Sequence, residues 1–189
     1  NHHLPEQVRS YIDERNARGR FNVREALEPT LLGSAGTVTA NRALADGAES
    51  IVVIYADNLS NADLDAMIDF HESHDDPFTM LLFHTPYPTK CGIAEVDDDQ
   101  RIIAFTEKPN QPVSDLANGG VYVLDAEAYR EIADMNAFDI GFEVLPHFVG
   151  RMRGWTWDGY HRDIGTLESL DQARRHARNV FNRAEVSER

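Results

Sequence analysis

Ile51-Val52-Val53-Ile54-Tyr55-Ala56 runs directly into Asp57-Asn58. A continuous apolar and β-branched run without alternation predicts a strand buried on both faces, as in a parallel sheet. Downstream, Asn61 can cap a helix that reaches about His74, with Leu64, Met67, Ile68 and Phe70 on its inner face. Phe78 to His84 (FTMLLFH) is a second run of the same kind. Strand, helix and strand form a βαβ unit. Ligands on such sheets sit at the carboxyl ends of the strands. Asp57, at the end of the first strand, is therefore the first candidate functional residue.

Upstream of this unit, Leu4 to Arg18 reads as an amphipathic helix with Leu4, Val8, Tyr11 and Ile12 on one face and Gly19 at its end. Phe21 to Ala26 fits a short strand. Glu28 to Gly36 (EPTLLGSAG) is rich in turn formers and small residues, and Thr37 to Ala45 reads as a helix stopped by Asp46-Gly47. Beyond the unit, Gly92 to Val96 and Arg101 to Thr106 form a hairpin-like pair around the acidic turn Asp97 to Gln100, which reads as a solvated loop. Glu107-Lys108-Pro109 breaks the second strand, and Asn118-Gly119-Gly120 opens another over Val121 to Leu124. Helices are predicted over Ala126 to Ala133 and Phe142 to Phe148. Trp155 to Arg162 reads as extended, and a last helix runs from about Thr166 to Phe181. This order predicts an α/β fold: a Rossmann-like, mostly parallel sheet flanked by helices, with an antiparallel excursion in its second half.

Bulk properties narrow the functional classes. The 189 residues suit one domain. The formal net charge of −14 repels nucleic acid phosphate, and no basic stripe offsets it. No apolar run approaches the roughly 20 residues a membrane helix needs, and the polar start Asn1-His2-His3 does not resemble a signal peptide. The single cysteine, Cys91, cannot form an internal disulfide, which points to the cytoplasm. It reads as a small strand residue. Lys90 and Lys108 are the only lysines, so a lysine inside a motif stands out.

The motifs gain meaning from their order. Glu28-Pro29 and Gly33-Ser34-Ala35-Gly36-Thr37 come first, then Tyr55-Ala56-Asp57-Asn58, then Cys91-Gly92-Ile93-Ala94-Glu95. Phe105-Thr106-Glu107-Lys108-Pro109, Asn118-Gly119-Gly120-Val121-Tyr122 and Arg162-Asp163-Ile164-Gly165-Thr166 follow. The series resembles the sugar-1-phosphate nucleotidyltransferase family, which includes mannose-1-phosphate guanylyltransferases and glucose-1-phosphate thymidylyltransferases, and the resemblance covers almost the whole chain.

The resemblance implies a nucleotide-diphospho-sugar transferase type of fold and a reaction between a nucleoside triphosphate and a sugar 1-phosphate. Asp57 and Asp163 would hold Mg2+. The alternative for Asp163 is an N-cap of the last helix. Lys108 would contact the sugar phosphate and Glu107 the sugar hydroxyls, with a surface salt bridge as the alternative. Gly92, Asn118 and Gly120 match positions lining the sugar pocket, where a plain turn role is the alternative. Gly33, Ser34, Ala35 and Gly36 match the base-binding loop. Glu28 stands where thymidylyltransferases of the family commonly carry Gln. An ionised carboxylate only accepts hydrogen bonds; guanine offers two donors, so Glu28 favours GTP and, with it, mannose 1-phosphate, while glucose and heptose phosphates stay open. Family members are often oligomeric, which makes a homo-oligomer an allowed assembly.

Two departures bear on function. The family's Gly-rich triphosphate loop is absent, and the alignment of Asn1-His2-His3-Leu4 with the segment after the family's second strand implies about fifty preceding residues. Ala56 also stands where a Gly usually precedes the Asp. The rival readings are a catalytically inactive nucleotide-sugar-binding or regulatory module on the same fold, and a glycosyltransferase. The glycosyltransferase would use an Asp-x-Asp motif; Asp63-Leu64-Asp65 has that form but falls in the predicted helix.

Overall fold

A computed structural model describes residues 5–17, 19 and 23–181. In chain order the elements are helix α1 (Pro5–Ala17), α2 (Gly33–Ala40), strands β1 (Ser50–Ile54) and β2 (Asn58–Ser60), α3 (Leu64–Glu72), β3 (Phe78–His84), β4 (Gly92–Val96), β5 (Ile102–Glu107), β6 (Leu116–Asp125), α4 (Ala126–Asp134), α5 (Leu145–Phe148), β7 (Arg153–Thr156), β8 (His161–Asp163) and α6 (Leu167–Phe181). A 3-10 turn (Arg42–Ala45) follows α2, another (Pro88–Lys90) precedes β4, and a π-helical turn (Ile140–Val144) runs into α5. No helix among the described residues is long and apolar enough to cross a membrane.

The fold is α/β, with one central six-stranded sheet between helices. Its order is β5-β4-β6-β3-β7, and β1 pairs with β6 beyond the short β4 contact. β1, β3, β4 and β7 share one direction, and β5 and β6 run against it. The parallel character thus appears as a common strand direction. β6 inserts between β1 and β3, so the crossover through α3 spans a strand, and the parallel ladder among the described residues is β3–β7. The larger core lies on one face, where Phe78, Met80, Tyr122 and Leu124 meet Tyr129 and Ile132 of α4 and Phe148 of α5. On the other face Met67 of α3 packs on Leu81, Val121 and Val123.

Several local expectations change. β1 is not buried on both faces: Val52 is 37% and Ile54 49% exposed, because β6 is its partner and its outer edge carries none among the described residues. Asn61 does not cap α3. Its side chain accepts from Tyr160 N and Trp157 Nε1, and Asp63 caps the helix by accepting from Ala66 N at 3.0 Å. β6 runs unbroken through Asn118-Gly119-Gly120 instead of starting after it. Val23 to Ala26 forms no strand, and the Phe21 and Leu4 expectations lie outside the described residues. The expected apolar stripe on α1 stays at the surface, with Val8 and Tyr11 exposed. In the acidic turn, Asp97 Oδ1 accepts from the N–H groups of Asp99 and Arg101, and Gln100 takes a left-handed φ of 63°, so this carboxylate shapes the turn.

Candidate active site

A second, two-stranded sheet brings the two candidate metal-holding carboxylates together. β2 pairs antiparallel with β8, with Asn58 opposite Asp163 and Ser60 opposite His161. Ile164 N donates to Asp57 O at 2.7 Å, closing the end of the ladder. A Cβ on Gly165 would stand 3.1 Å from Asp163 Oδ1 and 3.4 Å from Asp57 Oδ2, so both carboxylates border one point. Asp163 Oδ1 accepts from Gly165 N at 2.7 Å. The helix-cap alternative for Asp163 goes instead to Thr166, whose hydroxyl accepts from Ser169 N at 3.1 Å.

Glu107 and Lys108 sit where β5 ends beside the start of β4, Glu107 opposite Gly92. The Glu107 carboxylate is largely buried between two glycines. A Cβ on Gly92 would overlap its Oε2, and one on Gly141 would lie 2.8 Å from it. Burial raises the Glu107 pKa, Lys108 lowers it and Asp139 raises it further. Lys108 adopts a left-handed φ of 47°, uncommon for a residue with a Cβ. Its N–H donates to Cys91 O, and its largely exposed ammonium lies 3.9 Å from Glu107 Oε1 and 6.0 Å from the centre of the Phe142 ring. Burial raises the pKa of the Cys91 thiol, the Thr85 hydroxyl lowers it, and the charges of Glu107 and Asp163 raise it while that of Lys108 lowers it.

Asn118 and Gly120 form the next wall. Asn118 Oδ1 accepts from Gly120 N, and its amide donates to the Tyr122 hydroxyl, both at 2.9 Å. Gly120 has φ +64°, and a Cβ there would lie 2.7 Å from Asn58 Nδ2 and 2.9 Å from the Tyr55 ring. Asn58 in turn donates to Gly119 O at 2.8 Å, tying the β2 side of the site to β6.

The expected base-binding loop is helical. Gly33, Ser34, Ala35 and Gly36 make up the first turn of α2, which docks on Phe138 to Ile140. Ala35 N donates to Phe138 O (3.1 Å), and Ile140 N donates to Ser34 Oγ (2.8 Å). Glu28 is 7% exposed, and its Oε1 accepts from the Thr37 hydroxyl at 2.6 Å. The carboxylate therefore braces α2 from the preceding segment.

Some site residues left little trace in the sequence. Gly141 lies just before the helix expected from Phe142, inside the π-helical turn, and it makes room for Glu107. Asp139 accepts from Phe142 N and lies 3.4 Å from the Ser34 hydroxyl, which joins the α2 wall to the Glu107 wall. His161 lies two residues before Asp163 on β8 and packs on Phe83 with ring centres 4.6 Å apart and planes tilted by 41°. Burial pushes its imidazole down to about 4 against the pull of Asp163, and its Nδ1 is buried without a partner among the described residues.

Comparison with known proteins identifies the family. The family model for nucleotidyl transferases matches residues 1–180. A glucose-1-phosphate adenylyltransferase of Clostridium acetobutylicum is 27% identical over 154 residues, covering 75% of this chain and 40% of that enzyme. One of Desulforamulus reducens is 34% identical over 134 residues, covering 65% and 34%. The chain thus spans well under half the length of these curated relatives. Among solved structures, one from Bacillus anthracis named as a glucose-1-phosphate thymidylyltransferase superposes with a TM-score of 0.78 at 21% identity, covering 94% of this chain and 73% of that one. HddC from Yersinia pseudotuberculosis follows at 0.76 and 20%, covering 93% and 76%. Both share the fold. The match over nearly the whole chain assigns this protein to the nucleotidyl transferase family.

Proposed function

We propose that the protein transfers a nucleotidyl group from a nucleoside triphosphate to a sugar 1-phosphate, releasing pyrophosphate. The observation that carries this reading is the pairing of Asp57 and Asp163 about Gly165.

In the reaction a sugar phosphate oxygen attacks the α-phosphorus of the triphosphate, and the bond to the pyrophosphate oxygen breaks. Two anions must be brought together, so alignment and charge neutralisation dominate. Lys108, with its exposed ammonium, neutralises the sugar phosphate, and Glu107 accepts hydrogen bonds from sugar hydroxyls. Asn118, Gly92 and Gly120 shape the sugar pocket, the two glycines by making room for Glu107 and for the Tyr55 ring. The first turn of α2, from Gly33 to Gly36, forms the base side.

Asp57 and Asp163 fit a magnesium site. Magnesium is commonly held by one or two carboxylates and completed by substrate phosphates and water. Two carboxylates with no third His, Cys, Asp or Glu grouped with them among the described residues match that donor set. Bound there, the ion would supply positive charge to the phosphates.

The purine reading rests on the residue type at position 28, although the Glu28 carboxylate is buried and accepts from Thr37. Guanine offers a carboxylate two donors, and adenine offers its exocyclic amine, whereas thymine and uracil present a single ring N–H between carbonyls. GTP with mannose 1-phosphate is the reading the Glu28 chemistry favours. ATP with glucose 1-phosphate is the pair named in the curated relatives. Pyrophosphate release should be measured with GTP, ATP, dTTP and UTP against each sugar phosphate, with Asp57→Asn as control. Release with a purine nucleotide that disappears in the variant is expected. Turnover with dTTP alone would overturn the purine reading, and silence with every pair would overturn the transferase.

A further inference from the structure

Phe142 takes no part in the transfer as described above, and its ring is 59% exposed. Exposure alone is ordinary for a single apolar residue; the setting of this one is not. The surrounding turn holds it in place. Phe142 N donates to Asp139 Oδ1 at 2.9 Å, and Glu143 Oε1 accepts from the N–H groups of Phe138 and Asp139, both at 2.9 Å. Ile140–Val144 is a π-helical turn, an irregularity frequent at functional sites. Gly141, directly before the ring, lies against Glu107: a Cβ there would stand 2.8 Å from Oε2. The Lys108 ammonium lies 6.0 Å from the ring centre, at the outer limit of a cation–π contact. An apolar ring, a carboxylate and an ammonium thus border one place. Phe138, also exposed, stands instead against Gly33 at the start of α2.

Small-molecule sites combine apolar faces with a few polar groups that fix orientation. A pyranose 1-phosphate offers the complement: a phosphate for Lys108, hydroxyls for Glu107 and a face of C–H groups for the ring. We propose that Phe142 is a sugar-binding residue, an apolar platform on which the ring of the sugar 1-phosphate packs. The proposal rests on the nucleotidyl-transfer reading. The platform acts on the sugar ring alone, so it contributes nothing to the binding of a free phosphate ion or of the nucleotide.

Phe142→Ala in the full-length protein tests this. The KM for the sugar 1-phosphate should rise about tenfold, the effect of leaving roughly 55 Å² of apolar surface in water. The KM for the nucleotide and the Tm should stay near wild type, since the ring is exposed in the free protein. Inorganic phosphate, titrated as a competitor of the sugar phosphate, should inhibit wild type and variant alike, because Lys108 is untouched. Phe142→Tyr keeps the aromatic face and should keep the wild-type KM. An unchanged sugar-phosphate KM in Phe142→Ala, or an equal rise in both KM values, would overturn the platform. Phosphate inhibition that weakens in step with the sugar-phosphate KM would overturn it too, since the ring would then serve Lys108 and not the sugar. Wild-type protein inactive with every substrate pair would instead sink the transferase reading, and the platform with it, before any variant was made.

Discussion

Asp57 Oδ2 and Asp163 Oδ1 face each other across Gly165, 3.4 and 3.1 Å from the place a Cβ would occupy. Asp57→Asn and Asp163→Asn keep the shape and remove the charge. Each should lower the rate of pyrophosphate release by roughly 10²-fold or more, the scale of lost electrostatic stabilisation at a reacting phosphate, while the urea midpoint stays near wild type. Gly165→Ala places a methyl group between the two carboxylates and should raise the magnesium concentration needed for half-maximal rate. An unchanged magnesium dependence would argue against the pair as the metal site.

Glu107 depends on the glycines on either side of it. Gly92→Ala and Gly141→Ala both drive a methyl group into its carboxylate. Overpacking of this kind costs about 1–3 kcal/mol. The KM for the sugar phosphate should rise in both variants, with the KM for the nucleotide much less affected. Steady-state kinetics with each substrate varied in turn would show the split.

Asp76 is a structural counterpart, remote from the proposed chemistry. Its largely buried carboxylate accepts from Arg101 Nη1 and Arg153 Nε, both at 2.6 Å, and Arg153 also donates to Asp99 O. It thereby pins the β4–β5 hairpin and β7 to the start of β3. Asp76→Ala leaves two guanidinium groups without their anion, and should cost about 3 kcal/mol, the low end for breaking a buried pair. Urea unfolding measures this loss, and activity per folded molecule should survive it.

The acid limb of stability should carry the mark of Glu131. Its carboxyl is lowered to about 2, first by the hydrogen bond from Arg151 and then, against burial, by that from His147. A carboxylate whose pKa is depressed on folding stabilises fully above its unfolded value, here 4.5, and loses that contribution as pH falls towards the folded value. Tm should therefore fall more steeply between about pH 5 and 3 in wild type than in Glu131→Gln. The pair is partly exposed, so salt should shrink the difference.

What the sequence showed depended on the range of the forces involved. FTMLLFH reads as a strand because its apolar run is local, and β3 covers the same residues, Phe78–His84. Asp57, Lys108 and Asp163 stood out because each lies at or shortly after the end of a strand in an ordered motif. The edge position of β1 was not legible, since an apolar run records side-chain preference and not the number of neighbours a strand finds. The helical state of Gly33 to Gly36 was hidden for a similar reason: two glycines argue for a turn, while packing on Phe138 to Ile140 decides for helix. Gly141 carried no local signal, because its importance lies in the carboxylate it admits from β5. Asn61 looked like a helix cap by composition and was drawn off by the Tyr160 backbone across the β2–β8 ribbon.

That ribbon pairs three residues with three, and it carries the geometry of Asp57 and Asp163. Such short ladders open at a lower free energy than the core strands of the same domain. Amide hydrogens around Asn58–Ser60 and His161–Asp163 should accordingly exchange with solvent before those of β3 and β6. Heating should scatter the two carboxylates while the central sheet still stands, so inactivation would precede melting, and a bound substrate pair that spans the carboxylates would slow this local exchange most.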